Sequence, residues 1–286
     1  MVSFGHNRDS MESRSDDSWR FPLSYYPSRI EGKHYVVNAD TDKALGIVSN
    51  RTRMVAHGDL VDAVQALPEF QRLGSRETST YIADGGGWFA RHYTFNDIER
   101  RIATARKEVT VHPQIILWHS VTGTAANSFM VGLINSFCWN GLVTGDYSTY
   151  RRRNSGGFDL PSFAAECGAL IETFHHQTHW CDRLARSPLD PIAAEDFVRS
   201  EMFEREKSQE RMIDLVEDHM ADYGQNVWAL YQAMTNYSTY SDSRNGFELR
   251  LTQHAVNDNR ALRLAGRRNQ VQRWITTPRF KSLLAA

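Results

Sequence analysis

The stretch His34-Tyr-Val-Val-Asn-Ala-Asp-Thr-Asp-Lys-Ala-Leu-Gly-Ile-Val-Ser49 decides the fold class. Two runs rich in β-branched and aromatic residues flank a polar turn at Asp40 to Lys43, which is the pattern of a β-hairpin. Towards the C-terminus, an extended piece at Arg51 to Val55 leads into Asp59-Leu-Val-Asp-Ala-Val-Gln-Ala-Leu67. Asp59 is expected to cap a short helix there, with Leu60, Val61, Val64 and Leu67 on one side and Pro68 ending it. Strand-like segments follow at Tyr81 to Ile82, at Trp88 to Phe95 after the triple glycine Gly85-Gly86-Gly87, and at Val109 to Val121. Asn127 to Leu142 is apolar on nearly every side, so a buried element is expected, with helix and strand both open. From Leu160 the period changes: Phe163, Cys167, Leu170, Ile171 and Phe174 recur at three and four, as one buried helix face requires. Asp190 before Pro191, and Asn226 before Val227, Leu230, Tyr231 and Met234, mark further helix starts.

Strands first and helices second, without βαβ alternation, predict an α+β fold: an N-terminal antiparallel sheet of hairpins followed by a C-terminal helical region. Residues 1 to 30 are rich in Ser, Asp and Arg with few branched apolar side chains, and a disordered tail is expected there. The expected organisation is this tail, a β-rich part at 31–158 and a helical part at 159–286, the last two forming one continuous domain.

With 286 residues and 41% hydrophobic content the chain can bury a core. Its longest apolar runs, such as Val131 to Ile134 and Val227 to Tyr231, fall far short of the roughly 20 residues that cross a bilayer. The opening MVSFGHNRDSMESRSDD has no apolar signal core, and three widely spaced cysteines make no disulfide framework. No membrane association and a cytoplasmic location, in a bacterial host, are expected. The near-zero charge, 33 Lys+Arg against 34 Asp+Glu, hides an uneven distribution. Residues 182–223 hold twelve acids and six bases, whereas residues 244–286 hold nine bases and two acids.

The most metal-like cluster is His175-His176-Gln-Thr-His179-Trp-Cys181, in which His175 and His179 would share a helix face and Cys181 could supply a thiolate. It has no second ligand pair and no carboxylate placed as a general base, so no metal is expected, and no cofactor. Gly85 to Gly87 lack the Lys-Ser/Thr of a phosphate loop and read as a turn. His119-Ser120 lies in a strand without a nucleophile elbow, and no catalytic residue is assigned.

What remains is positive charge interleaved with aromatic rings. Arg91, Arg100 and Arg101, with Arg106 and Lys107, sit near Trp88, Phe89, Tyr93 and Phe95. Tyr147 and Tyr150 adjoin Arg151, Arg152 and Arg153. In the terminal helix Arg260, Arg263 and Arg267 project within about 60° of one another. Single-stranded nucleic acid is gripped by this combination, cations tracking phosphates and ring faces stacking on bases.

Three segments carry a family resemblance. Val36 to Ser49, two strands around an acidic turn with Leu-Gly-x-Val, resembles the opening hairpin of the phage/plasmid-like proteins of unknown function, a family that includes prophage proteins encoded near antirestriction genes. Leu117-Trp-His119-Ser120, followed by Phe137-Cys138-Trp139-Asn140-Gly141-Leu142-Val143, is similar to its central SHDGS turn and VCTNGLV. Asn226-Val-Trp228-Ala-Leu-Tyr231-Gln-Ala-Met-Thr235 resembles its late WxxYNAxTEY helix. Together the matches cover roughly residues 34 to 275 in the family's order. Val121-Thr122 stands where the family has Asp-Gly, Trp139 where it has Thr, and the histidine cluster has no counterpart. The resemblance implies a mobile-element origin and strands followed by helices, and no established activity.

The function expected is that of a non-enzymatic nucleic-acid-binding protein of a phage or plasmid, favouring single-stranded DNA, acting in annealing, recombination or replication and assembling from several copies. Arg91, Arg100, Arg101, Arg151, Arg152 and Arg153 would neutralise phosphates, and Trp88 or Tyr150 would offer stacking faces. The alternative is an anti-defence, antirestriction-type protein whose acidic 182–222 region docks on a host defence protein.

Overall fold

The computed structural model describes residues 17–123, 126–135, 141–142, 149–153, 158–240 and 270–284. Strands β1 (Leu23–Pro27), β2 (Lys33–Asn38) and β3 (Lys43–Ser49) form a small antiparallel sheet in the order β1-β2-β3. The hairpin read from the sequence is β2-β3. Its turn works as its residue types suggest: Asn38 Oδ1 accepts from the Asp40 N–H (2.9 Å), and Asp42 takes the left-handed backbone (φ 55°) that a short polar side chain tolerates. β1 lies within the stretch expected to be a disordered tail, and that expectation fails for residues 17–30. Trp19 and Phe21 are 3% and 4% exposed, and β1 completes a ladder with β2. Trp19 and Phe21 are joined by Leu23 and Tyr25, which pack against Val36, Val48 and Met54, anchors that a count of branched apolar residues overlooks.

Helices α1 (His57–Gln65) and α2 (Pro68–Arg72) lead into a second antiparallel sheet. Its strands are β4 (Glu77–Ala83), β5 (Trp88–Thr94), β6 (Arg100–Ala103), β7 (Glu108–Ser120), β8 (Ala126–Asn135), β9 (Gly141–Leu142) and β10 (Thr149–Arg153). The order is β10-β8-β7-β5-β4, with β6 beside β7 and β9 beside β8. The stretch from Asn127 is thus a strand. The helical part comprises α3 (Leu160–Glu172), α4 (Phe174–Arg186), α5 (Pro191–Phe197), a π-helical turn at Val198–Met202, α6 (Glu206–Tyr223), α7 (Val227–Tyr240), α8 (residues 270–276) and α9 (Pro278–Leu283). The fold is α+β. Asp190 accepts from the Ile192 N–H (3.3 Å) and Asn226 Oδ1 from the Ala229 N–H (3.0 Å), as their positions predict. α1 differs: Ala56 occupies the N-cap without a side-chain bond, and Asp59 sits in the first turn, where its charge still suits the positive end of the helix. Among the described residues no helix is long and apolar enough to cross a membrane.

Alternation along the strands sorts the large sheet into two faces. On one, Ile102, Val109, Val111 and Leu133 join Leu184, Met212, Trp228 and Tyr231 of α4, α6 and α7 in one core. Further along the same face, Phe89, Tyr93, Ile115, Leu117 and Phe129 join Leu60, Val64, Phe70, Phe163 and Ile171 of α1, α2 and α3. β7 runs under both cores and changes partner midway: residues 108–111 pair with β6 and residues 114–120 with β5. Pro113 lies between these two ladders. Its carbonyl accepts from the Phe95 N–H (3.1 Å), so its missing N–H falls in the gap where no strand partner would use it.

The small sheet packs against the end of the large one. At Gly46, the glycine of Leu-Gly-Ile-Val, a Cβ would lie 2.5 Å from the Thr122 carbonyl oxygen, so only glycine lets β3 rest on the 121–123 turn.

Candidate functional site

Register places the eight residues expected to touch nucleic acid, and they divide between the two faces. Residues paired across an antiparallel ladder point to the same side. The row Arg151–Ser128–Trp118–Ala90 therefore shares one side, as do Arg153 with Ala126 and Trp88 with Ser120. This is the face turned away from the described helices. Trp88 is half-buried there, and Arg151 and Arg153 are exposed and form no ion pair among the described residues. Arg101, opposite Thr110, points the same way, but eight residues further along β7 from Trp118, roughly 27 Å at about 3.4 Å per residue. It is held by Glu99 (3.2 Å) and Glu108 (3.4 Å).

The other four face the helix side. Tyr150, opposite Phe129, packs its ring on Phe163 of α3 at 5.4 Å, so it serves the core. Arg91 is half-buried, with its guanidinium carbon 4.8 Å from the Trp19 ring centre and 5.5 Å from that of Tyr93. Burial lowers its pKa, and beside it Arg20 grips Asp62 with two bonds of 2.8 and 2.9 Å. Arg152 lies opposite Asn127, and its charge helps to hold the Asp159 carboxyl low, after the Ser162 hydrogen bonds that dominate that shift. Arg100 lies opposite Val111 at the α4 edge. The single wet surface expected from the sequence is thus not assembled from all eight: Trp88, Arg151 and Arg153 share one side, where the two arginines are exposed on the β10 edge while Ala90, Ile116, Ser120 and Ser128 between them and Trp88 are buried. Arg260, Arg263 and Arg267, and Tyr147, lie outside the described residues.

Two residues that the sequence reading did not single out share the side of Trp88, Arg151 and Arg153. Trp118 and Met130 lie on it, both half-buried, and among the described residues neither joins a core cluster. Trp118 Nε1 is buried without a hydrogen-bond partner. The available signal is parity: in a thirteen-residue strand whose odd-numbered positions are apolar from Val109 to Leu117, Trp118 falls on an even-numbered position with Gln114 and Ser120.

The most unusual polar contact lies at the seam between the sheets. His57, at the start of α1, and His119, near the end of β7, approach Nδ1 to Nδ1 at 2.6 Å. His57 Nε2 is 2.8 Å from the Gly86 carbonyl, which can only accept, so Nε2 carries the proton and Nδ1 accepts from His119 Nδ1–H. His57 stacks on Phe89 (5.0 Å) and meets the edge of Phe21 (5.5 Å). Burial pushes the His57 pKa down to about 4 and, with His57 alongside, that of His119 well below its ordinary value. Both rings are neutral at pH 7. Ser120 and Thr122 share a hydroxyl contact of 2.8 Å nearby, and Asn127 Oδ1 accepts from the Ser120 N–H (3.3 Å) while Asn127 Nδ2 is buried without a partner. The pairing of residues 62 apart had no local sequence signal.

In the helical part, His179 is exposed while Cys181 is fully buried, and burial pushes the Cys181 thiol pKa up. The two therefore do not share a site. Among the described residues no three His, Cys, Asp or Glu side chains gather as a metal would need. Among the described residues one ion pair joins the acidic and basic segments, Arg279 with Asp196, beside ring contacts of Phe197 with Phe280 (5.8 Å) and Phe203 with Trp274 (5.3 Å).

No curated protein and no solved structure matches this chain. A family does: residues 44–264 match the one described as Domain of unknown function (DUF932), a span that starts in β3 and takes in the large sheet, the histidine seam and α7. The chain belongs to the DUF932 family.

Proposed function

We propose that this protein binds single-stranded nucleic acid across the face of the large sheet that turns away from the helices. The observation that carries the reading is the shared side of Arg151, Arg153, Trp118 and Trp88, two unpaired guanidiniums beside two indoles outside the apolar cores. A flat sheet face with aromatic rings and flanking cations lets bases stack while phosphates run along the edge strand. Duplex DNA would hide its base faces from such a surface, so single strands are favoured. The setting that fits this activity is annealing, recombination or replication in a phage or plasmid, inside the host cytoplasm.

Fluorescence anisotropy with a labelled single-stranded oligonucleotide tests the reading. Binding should weaken with salt at a slope near −0.7 per phosphate engaged, and the Arg151→Gln/Arg153→Gln variant should lose about 1.4 of that slope. Trp118→Ala should weaken binding by about 1 to 3 kcal/mol. Absence of binding at low salt up to tens of micromolar protein would sink the reading.

A second reading has its own observation. Glu210, Asp214, Glu217 and Asp218 on α6 are exposed, lie at helical spacing on one side, and form no ion pair among the described residues. Such a stripe suits docking on a basic host defence protein. It expects specific co-purification of a basic partner, lost on reversing these charges, and no affinity for oligonucleotides.

A further inference from the structure

Between β6 and the C-terminal half of α4 lies a cleft of about 480 Å³, lined by Glu99, Arg100, Arg101, Ala103, Asp182 and Arg186. Its three arginines are in different states. Glu99 and Arg101 stand two apart, on the same side of the strand, and pair; Arg101 also reaches Glu108. Arg100 has the opposite parity. Its place opposite Val111 turns it towards α4, away from the carboxylate next to it in sequence. Arg186 is in the last turn of α4, one turn beyond Asp182, without forming an ion pair with it. Arg100 and Arg186 are both exposed and without ion-pair partners among the described residues. The cleft therefore presents two unsatisfied guanidiniums and one unsatisfied carboxylate, a net positive site with a built-in acceptor. Guanidiniums match phosphate oxygens two at a time, and a phosphate monoester is close to a dianion at neutral pH. The volume lies in the range that holds a nucleotide-sized ligand.

We propose that this cleft is a binding site for a phosphate monoester, with Arg100 and Arg186 holding the phosphate and Asp182 accepting from a hydroxyl or amino group on the remainder of the ligand. It lies at the other end of β7 from Trp118 and uses none of Trp88, Trp118, Arg151 and Arg153, so it does not depend on the nucleic-acid reading. The same chemistry could come from a free mononucleotide or from the 5′-phosphorylated end of a strand.

Calorimetric titration of the full chain with adenosine 5′-monophosphate, and with adenosine as the uncharged control, tests the site. The monophosphate should bind and adenosine should not. Arg100→Gln and Arg186→Gln should each weaken the monophosphate roughly tenfold, while Arg151→Gln/Arg153→Gln should leave it unchanged. Equal heats from adenosine and its monophosphate, no binding of the monophosphate, or full affinity in an Arg100→Gln/Arg186→Gln chain with an unchanged thermal melt would each overturn the proposal. The comparison of the two ligands on the unaltered chain needs no variant to fold. An oligonucleotide pair differing only in a 5′-phosphate separates the sources: a preference abolished in Arg100→Gln/Arg186→Gln assigns a strand end, and equal binding of the pair alongside monophosphate binding assigns the free nucleotide.

Discussion

Leu117 and Trp118 are neighbours on β7, yet they lie on opposite sides of the same sheet. Leu117 is fully buried in the core beneath α1 and α3, opposite Phe129. Trp118 is half-buried and sits among Ala90, Ser128 and the Arg151 row, outside both cores. One side of the sheet carries the two large apolar cores, and the other buries fewer and smaller groups, Ala90, Ile116, Ser120 and Ser128, beside half-buried Trp88, Trp118 and Met130. A fold can leave a face of this kind for recognition because the opposite face already secures the strands.

The largest effect should come from breaking the buried side. Leu117→Ala is expected to cost about 2 to 5 kcal/mol in urea denaturation, whereas Trp118→Ala, at a half-buried site outside the cores, should cost less than Leu117→Ala. Similar costs for the two would mean that the faces are not different in kind.

Acid should come next, and it acts at the seam. His57 titrates near 6.5 when unfolded and at about 4 when folded, and His219, also buried, is likewise pushed down to about 4. For such groups the unfolded chain binds more protons between these values. Stability is therefore complete above the unfolded pKa and falls as pH drops towards 4, by about 1.4 kcal/mol per pH unit for each histidine titrating. His57→Gln, which can still donate to Gly86, should flatten that fall by one group in chemical denaturation run from pH 7 to 4. An unchanged slope would show that the ring contributes nothing to it.

Smaller again is Gly46→Ala, which sets a methyl against the Thr122 backbone and should cost about 1 to 3 kcal/mol, read as a lower midpoint of thermal melting. The smallest is Arg151→Gln/Arg153→Gln, within about 0.5 kcal/mol of the parent chain, because exposed unpaired side chains add little to stability. A large loss there would tie those arginines to structure and count against a role in binding.

The order of strands and helices, the β2-β3 turn and the caps at Asp190 and Asn226 could be read in the sequence because each depends on residues within one turn of each other. The faces of the sheet could be read only in part. Parity marks Trp118 as lying opposite Leu117, but which arginines join it depends on the β8–β10 register, set by chain segments that are distant in sequence. Arg91 and Tyr150 illustrate the gap. Each stands in a cluster that looks suited to nucleic acid, and each is turned by its ladder position towards Trp19 or Phe163. The histidine seam was illegible for the same reason, since neither His57 nor His119 has a local partner that would mark it. β1 is hidden in the sequence because a few separated anchors, Trp19, Phe21, Leu23 and Tyr25, hold it and the composition around them is polar.

Pro113 has a consequence for how the sheet is assembled. If β7 slid by two residues along β5, the imino nitrogen would enter the hydrogen-bonded ladder and leave a β5 carbonyl without its donor; a slide the other way would do the same to β6. One residue that cannot donate therefore acts as a ratchet pawl between two ladders, and keeps Trp118 level with Ser128 and Arg151.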